Sequence, residues 1–206
     1  KQWSQELQLQ YDNGGDLSAI FGAFHLDEKV PSYQEAYADD FIQFMGIPID
    51  FLRTIEDDLR TSSSAVFGSV DWTFAPTWTL TAGVRHTRET KDYDRTTSAF
   101  FGAPLEAFSA DPQAVIDGAH RTWSATTPSL ALKKAFSDNV TGYVSAHRGF
   151  KSGGFNGRAN SQVEADNPEF DPEYVWTYEA GLKMQSADRR FSANFAAFHS
   201  TYTDFQ

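Results

Sequence analysis

Arg-Gly-Phe-Lys-Ser-Gly-Gly-Phe-Asn-Gly-Arg, residues 148–158, lies between two stretches in which apolar and polar side chains alternate. Ahead of it, residues 140–147 read Val-Thr-Gly-Tyr-Val-Ser-Ala-His. Behind it, past a polar and acidic segment, Tyr174, Trp176, Tyr178, Ala180, Leu182 and Met184 oppose Val175, Thr177, Glu179, Gly181 and Lys183. A period of two describes a β-strand with one greasy and one wet face. Gly149, Gly153, Gly154 and Gly157 admit backbone conformations closed to other residues. The segment therefore reads as a strand, a glycine-rich loop and a second strand.

The same pattern extends in both directions. Toward the C-terminus, a turn at Ser186-Ala187-Asp188-Arg189 precedes residues 191–202, where Phe191, Ala193, Phe195 and Ala197 share a face. Toward the N-terminus, Ser137-Asp138-Asn139 closes a strand over residues 123–136 that bends near Pro128. Residues 66–74 and 78–86 alternate around the tight turn Ala75-Pro76-Thr77, with Val66, Val70 and Trp72, then Leu80, Ala82 and Val84, on one face. Residues 3–11 alternate with Gln5 as the exception, and Asp12-Asn13-Gly14-Gly15-Asp16 is hairpin chemistry leading into a strand over residues 17–26.

Two longer segments lack this period. Residues 27–63 are acidic, and Phe51, Leu52, Ile55 and Leu59 recur at helical spacing behind Asp50, a suitable N-cap. They predict a long loop holding a short helix. Residues 89–121 are polar, with Asp111-Pro112 at N-cap and first helical position and Gly118 as terminator, so one or two helical turns are expected over 112–117. About eight strands thus alternate between short turns, near Asn13, Pro76, Asp138 and Asp188, and long loops. A soluble sandwich has connections of similar length at both ends. The asymmetry, with Trp3, Tyr11, Trp72, Trp78, Phe136, Tyr174, Trp176 and Phe191 at strand ends, predicts an all-β, antiparallel, up-and-down transmembrane barrel segment with interfacial aromatic girdles.

Composition narrows the function. The 206 residues carry a net charge of −11, opposite to what a phosphate-backbone binder needs, so nucleic acid is not an expected partner. Cysteine is absent, which removes disulfide frameworks and thiolate metal sites. No apolar run is long enough for a transmembrane helix. Both ends fall on or beside strand-like sequence, and the chain reads as an internal piece of a longer protein.

Three pieces then stand in order: Leu80-Thr81-Ala82-Gly83-Val84-Arg85-His86-Thr87-Arg88-Glu89, Arg148-Gly149-Phe150-Lys151-Ser152-Gly153-Gly154-Phe155-Asn156, and Tyr178-Glu179-Ala180-Gly181-Leu182-Lys183. Ala197-Phe198 and Tyr202-Thr203-Asp204-Phe205-Gln206 close the set. In this order and spacing they resemble the barrel of TonB-dependent outer-membrane receptors. The resemblance implies that residues 1–206 are part of a plugged barrel of about 22 strands. It implies a location in the outer membrane against lipid, and import of a scarce, bulky solute such as an iron–siderophore complex, a cobalamin, or a saccharide or aromatic compound. The TonB complex would be engaged through a plug and TonB box that this sequence does not contain.

The glycine-rich loop is expected to shape an extracellular loop. Direct ligand contact is assigned to Phe150, Lys151, Phe155, Asn156 and Arg158. A phosphate-binding loop is not expected, because Lys151-Ser152 precede Gly153-Gly154 and no helix follows. The five histidines stand singly, Asp39-Asp40 and Glu56-Asp57-Asp58 lack a calcium-loop order, and no Gly-x-Ser-x-Gly places a serine, so neither metal, cofactor nor catalysis is expected. Glu179, beside Thr177 and Lys183, belongs to a polar lumen. Two other readings remain at this point: a self-contained small outer-membrane β-barrel, and a soluble carbohydrate-binding β-sandwich.

Overall fold

A computed structural model describes residues 1–38, 46, 49–102 and 111–205. Eight strands form one antiparallel sheet: β1 (Gln2–Asp12), β2 (Leu17–Ala38), β3 (Asp50–Ala75), β4 (Trp78–Gly102), β5 (Asp111–Ser137), β6 (Val140–Lys151), β9 (Glu173–Gln185) and β10 (Ser192–Thr203). Between β6 and β9 the chain forms β7 (Gly154–Phe155), the single-turn α1 (Gln162–Ala165) and β8 (Glu169–Phe170), with β7 and β8 paired as a small ribbon. Every neighbour in the large sheet is the next strand along, up and down, from β1 to β10.

The cross-strand register converts the sequence alternation into two surfaces. Leu17, Trp72, Leu80, Leu132, Val144, Ala180 and Ala197 stand in one row across seven strands, and all are apolar. One residue away, on the other face, the row reads Ser18, Asp71, Thr81, Ala131, Ser145, Glu179 and Phe198. Apolar side chains on the first face are open, with Leu130 at 52%, Val144 at 54% and Val84 at 51% exposure. A water-soluble sheet would cover such a face with a second layer; a membrane barrel leaves it to lipid.

Aromatic side chains bound this band. At the short-turn end, Trp72, Phe74 and Trp78 succeed one another with ring centroids 5.6 and 6.4 Å apart. At the far end, Trp176 stacks on Tyr178 at 6.2 Å, and the Arg148 guanidinium lies 4.0 Å from the centroid of Tyr174. Amphipathic rings of this kind sit at headgroup level.

The structure corrects the two segments without a period. Residues 27–38 continue β2, and 50–63 begin β3, so no helix forms behind Asp50. Phe51, Ile55 and Leu59 are four residues apart, a spacing that suits a helix and equally keeps three side chains on one strand face. They pair across to Phe101, Thr97 and Tyr93. Residues 112–117 are likewise strand, and Gly118 makes a bulge instead of ending a helix. Its φ is +62°, the register slips between Tyr93 and Arg95, and the Asp94 carboxylate accepts the Gly118 N–H at 2.7 Å. The Asp39-Asp40 pair lies outside the described residues. β2 to β5 therefore run to 22, 26, 25 and 27 residues, well beyond the 9–11 or so that cross a bilayer. The four predicted short turns stand as expected.

β6 pairs with β5 only over Ser129 to Ser137. Beyond Pro128 the long strands rise past their neighbour, and Pro128, which cannot donate to a ladder, stands where that pairing stops. The upper polar face of β3–β5 is thus left for another element to cover.

Candidate functional site

That element is the chain between β6 and β9, residues 152–172, which folds back over the polar face. Phe155 is its anchor. Its ring lies nearly parallel to Tyr93, 5.6 Å between centroids at 9°, and edge-on to Trp123 at 5.8 Å and 65°. Ala159 and Ala165 join Tyr93, Ala114 and Ile116 in a buried cluster against which Leu59, Ala119 and Phe155 pack. These residues come from β3, β4, β5 and the loop. The cluster holds most of the chain's small protein-covered core.

Polar contacts surround the anchor. Lys91 donates to the Gly153 carbonyl at 2.7 Å and pairs with Glu89 at 3.1 Å. Arg121 reaches both Glu169 and Asp171, the latter at 2.8 Å. Arg53 donates to the Asn160 side chain. Gln162 accepts from the Val115 N–H and donates to the Val115 carbonyl, both at 3.0 Å. Its amide does for the β5 edge what a neighbouring strand would do. α1 is capped by Ser161, whose hydroxyl accepts from Glu164 N, while the Glu164 carboxylate accepts from Asn160 N at 2.8 Å.

Glycine is required here for proximity. A Cβ on Gly153 would meet Trp123 Nε1 at 2.4 Å and the Phe170 carbonyl oxygen at 2.5 Å. Below the anchor, a buried network ties β3 to β4. Tyr93 donates to Asp57 at 2.6 Å, and Arg95, with its side chain 6% exposed, donates to the same oxygen at 2.7 Å. Burial, with the hydrogen bond to Asp57, pushes the Tyr93 phenol up to about 12.

Of the five residues assigned to ligand contact, Phe150 and Lys151 line one cavity, and Phe155, Asn156 and Arg158 do not join them there. Phe150 stacks on Tyr174, its cross-strand partner, at 6.4 Å, on the face carrying Trp176. Lys151 falls on the polar face and, together with Phe150, lines a cavity of about 480 Å³ shared with Arg85, Thr87, Glu89 and Lys91. Phe155 points inward as described. The Asn156 Oδ1 accepts the Arg158 N–H at 3.0 Å, and both residues are exposed. Sequence reasoning missed Tyr93, Arg121 and Asp57 because they fell in the segments read as loop, and Trp123 because it was read only as the start of a strand. Ser161-x-x-Glu164, a capping-box pattern, was the available signal for α1.

Solved structures with a similar fold include uptake and import receptors. The chain superposes over its full length on the ferric yersiniabactin uptake receptor FyuA of Yersinia pestis, TM-score 0.71 at 15% identity, spanning 29% of that chain. It matches the siderophore receptor PiuA of Acinetobacter baumannii over 96% of its length, TM-score 0.66 at 16% identity, spanning 31% of that protein. The ferric-catecholate import receptor Fiu of E. coli K12 matches over 92%, with TM-score 0.55 at 13% identity and 33% of Fiu spanned. The chain thus covers about a third of the length of each. The family model described as TonB dependent receptor-like, beta-barrel, matches residues 1–206, and the chain belongs to that family.

Proposed function

We propose that this chain is one section of the wall of an energy-coupled outer-membrane receptor that imports a scarce, bulky solute. The observation that carries the reading is the two-faced sheet: an apolar, open face bounded by aromatic girdles, and a polar face on which the β6–β9 loop is folded. The first face meets lipid and the second lines the lumen. A plug and TonB box supplied by other parts of the receptor would couple release to the inner membrane. No chemical step is assigned to the chain. Ferric chelates are what the printed names of the superposed receptors specify; a likeness of 13–16% identity carries the fold and not the solute. An iron–siderophore complex is therefore the solute to test first, ahead of a cobalamin, a saccharide or an aromatic compound.

Ligand contact is proposed for Lys151 in the cavity lining and for exposed Asn156 and Arg158. Phe150 and Phe155 contribute by holding the loop's two ends. The closed small barrel and the soluble sandwich are less well supported: among the described residues β1 and β10 do not pair, and beside the eight-stranded sheet there is only the two-stranded β7–β8 ribbon, too small to be a sandwich's second layer.

The test is fractionation of the native envelope followed by intact mass. Recovery in the outer-membrane fraction at several-fold the 23.0 kDa of this chain is expected. A soluble product, or one near 23.0 kDa, overturns the reading. For the site, Lys151→Ala with Arg158→Ala is expected to weaken solute binding about tenfold or more, the worth of one charged hydrogen bond.

A further inference from the structure

On the apolar face, near the short turns, lies a groove of about 360 Å³ floored by Gly142 and walled by Leu132, Val144 and Leu182. Lys134 stands at its lower lip, a half-buried cation in an otherwise apolar lining. Its ammonium lies 4.7 Å from the centroid of the Trp78 ring and 5.2 Å from that of Phe136. Lys134 takes part in none of the ion pairs found among the described residues. We propose that this groove is a binding site for one anionic glycerophospholipid of the periplasm-facing leaflet, its acyl chain along Leu132, Val144 and Leu182 and its phosphate on Lys134.

Three features select that occupant. Register fixes the level: Lys134 is opposite Trp78 on one side and Gly142 on the other, one pleat below the row Leu80, Leu132, Val144 and three residues above the Ser137 turn. This is the girdle, where apolar chain gives way to headgroup. Charge comes next. A lysine facing lipid without a carboxylate partner is costly unless it reaches water or an anion. Two aromatic faces hold this one at the groove, since a cation over a ring is attracted by the ring's quadrupole. A phosphate diester then supplies the missing countercharge from the solvent the site actually faces. Shape is third. A Cβ on Gly142 would lie 2.8 Å from the Phe136 ring, so the ring lies across a floor that only glycine leaves open. The wall beyond is three aliphatic side chains on three strands, a track for an acyl chain and not for a peptide, which would leave its backbone polar groups unpaired in lipid.

The inference rests on the membrane reading of the sheet, and its test separates the two. The full receptor carrying this chain is extracted from its membrane in detergent and examined by native mass spectrometry with added phosphatidylglycerol or phosphatidylcholine. Absence from the outer-membrane fraction would defeat the membrane reading, and the lipid site with it. Given a membrane receptor, phosphatidylglycerol is expected to be retained at least five-fold more than phosphatidylcholine. Lys134→Gln is expected to abolish that preference, and Lys134→Arg to keep it. Equal retention of the two lipids by the unaltered receptor overturns the site, whatever the variants do. An unchanged preference in Lys134→Gln does the same.

Discussion

β4 is two different environments on one strand. From Trp78 to Val84 its outward side chains are Trp78, Leu80, Ala82 and Val84, with Ala82 and Val84 exposed and Trp78 and Leu80 partly so. From His86 to Asp94 the outward side chains are His86, Arg88, Thr90, Asp92 and Asp94, while the inward Tyr93, Arg95 and Thr97 are buried. On the proposed membrane reading the lower half leaves its apolar surface to lipid, while the upper half covers its inner face with the β6–β9 loop. One strand thus has two solvents and two cores, and the change occurs within a pleat or two of His86. Substitutions that are chemically alike should have unlike effects on the two sides of that line.

The largest contrast should come from a charge on the outer face. Leu130→Arg, in the row with Ala82 and Ala146, puts a guanidinium against hydrocarbon and should cost about 2–4 kcal/mol. Thr90→Arg, on the same face above the line, should fall within about 0.5 kcal/mol of the parent. Urea unfolding of the receptor folded in vesicles reads both. Equal costs would mean that the apolar band does not face lipid.

The second contrast concerns the upper core. Phe155→Ala removes the ring stacked between Tyr93 and Trp123, and a half-buried phenylalanine should be worth about 2–3 kcal/mol, below the value for a fully buried one. The loss should be local. Amides of residues 152–172 should exchange faster while those of the lower β4 do not, because the loop can open without disturbing the strand ladders. Gly153→Ala tests the same seam from the other side, since its new methyl would meet Trp123 and the Phe170 carbonyl. Overpacking of that kind costs about 1–3 kcal/mol, and faster exchange confined to the same loop would report it.

The line at His86 also explains what the sequence could say. Strand alternation is the imprint of an apolar surround on one face and a polar one on the other, so it is plain at Trp72, Leu80, Leu132 and Ala180. Above the line both edges of the code fade: the outer face is polar because it meets water, and the inner face mixes Tyr93, Arg95, Ile116 and Trp123 because it meets a loop. Residues 27–38, 50–63 and 89–121 therefore look like loop although most are strand. Phe51, Ile55 and Leu59 mislead further, because a spacing of four satisfies both a helix and a strand. Gly118 was legible as a break but not as a bulge, which needs knowledge of Asp94 across the ladder. The site was least legible of all. Phe155 is a loop aromatic in the sequence, and only the fold shows it turned toward the wall.

The network beneath Phe155 gives a pH signature. Burial, with the hydrogen bond to Asp57, pushes the Tyr93 phenol from an ordinary 10 up to about 12 in the folded chain. The folded state therefore holds this proton more tightly than the unfolded chain. Its stabilisation is complete below pH 10 and is lost as pH rises from 10 toward 12. Tyr93→Phe should flatten the fall in urea midpoint across that window while leaving the profile at lower pH parallel to the parent. A parallel fall in both proteins would assign the effect to other groups.

Among the contacts that hold the loop, the smallest loss should be at Arg121, which nonetheless makes several of them. Its guanidinium reaches Glu169 and Asp171 and lies 5.5 Å from the centroid of Trp123, yet it is 38% exposed and Asp171 is 72% exposed. Exposed pairs gain little, since water screens both charges and ordering two long side chains costs entropy. Arg121→Ala should therefore cost at most about 1 kcal/mol, less than losing the Phe155 ring, and the cost should shrink as salt is raised. A loss as large as that of Phe155→Ala would mean that charge, and not the aromatic seam, holds the loop on the wall. The upper half would then have to be described as an ion-paired surface instead of a second core.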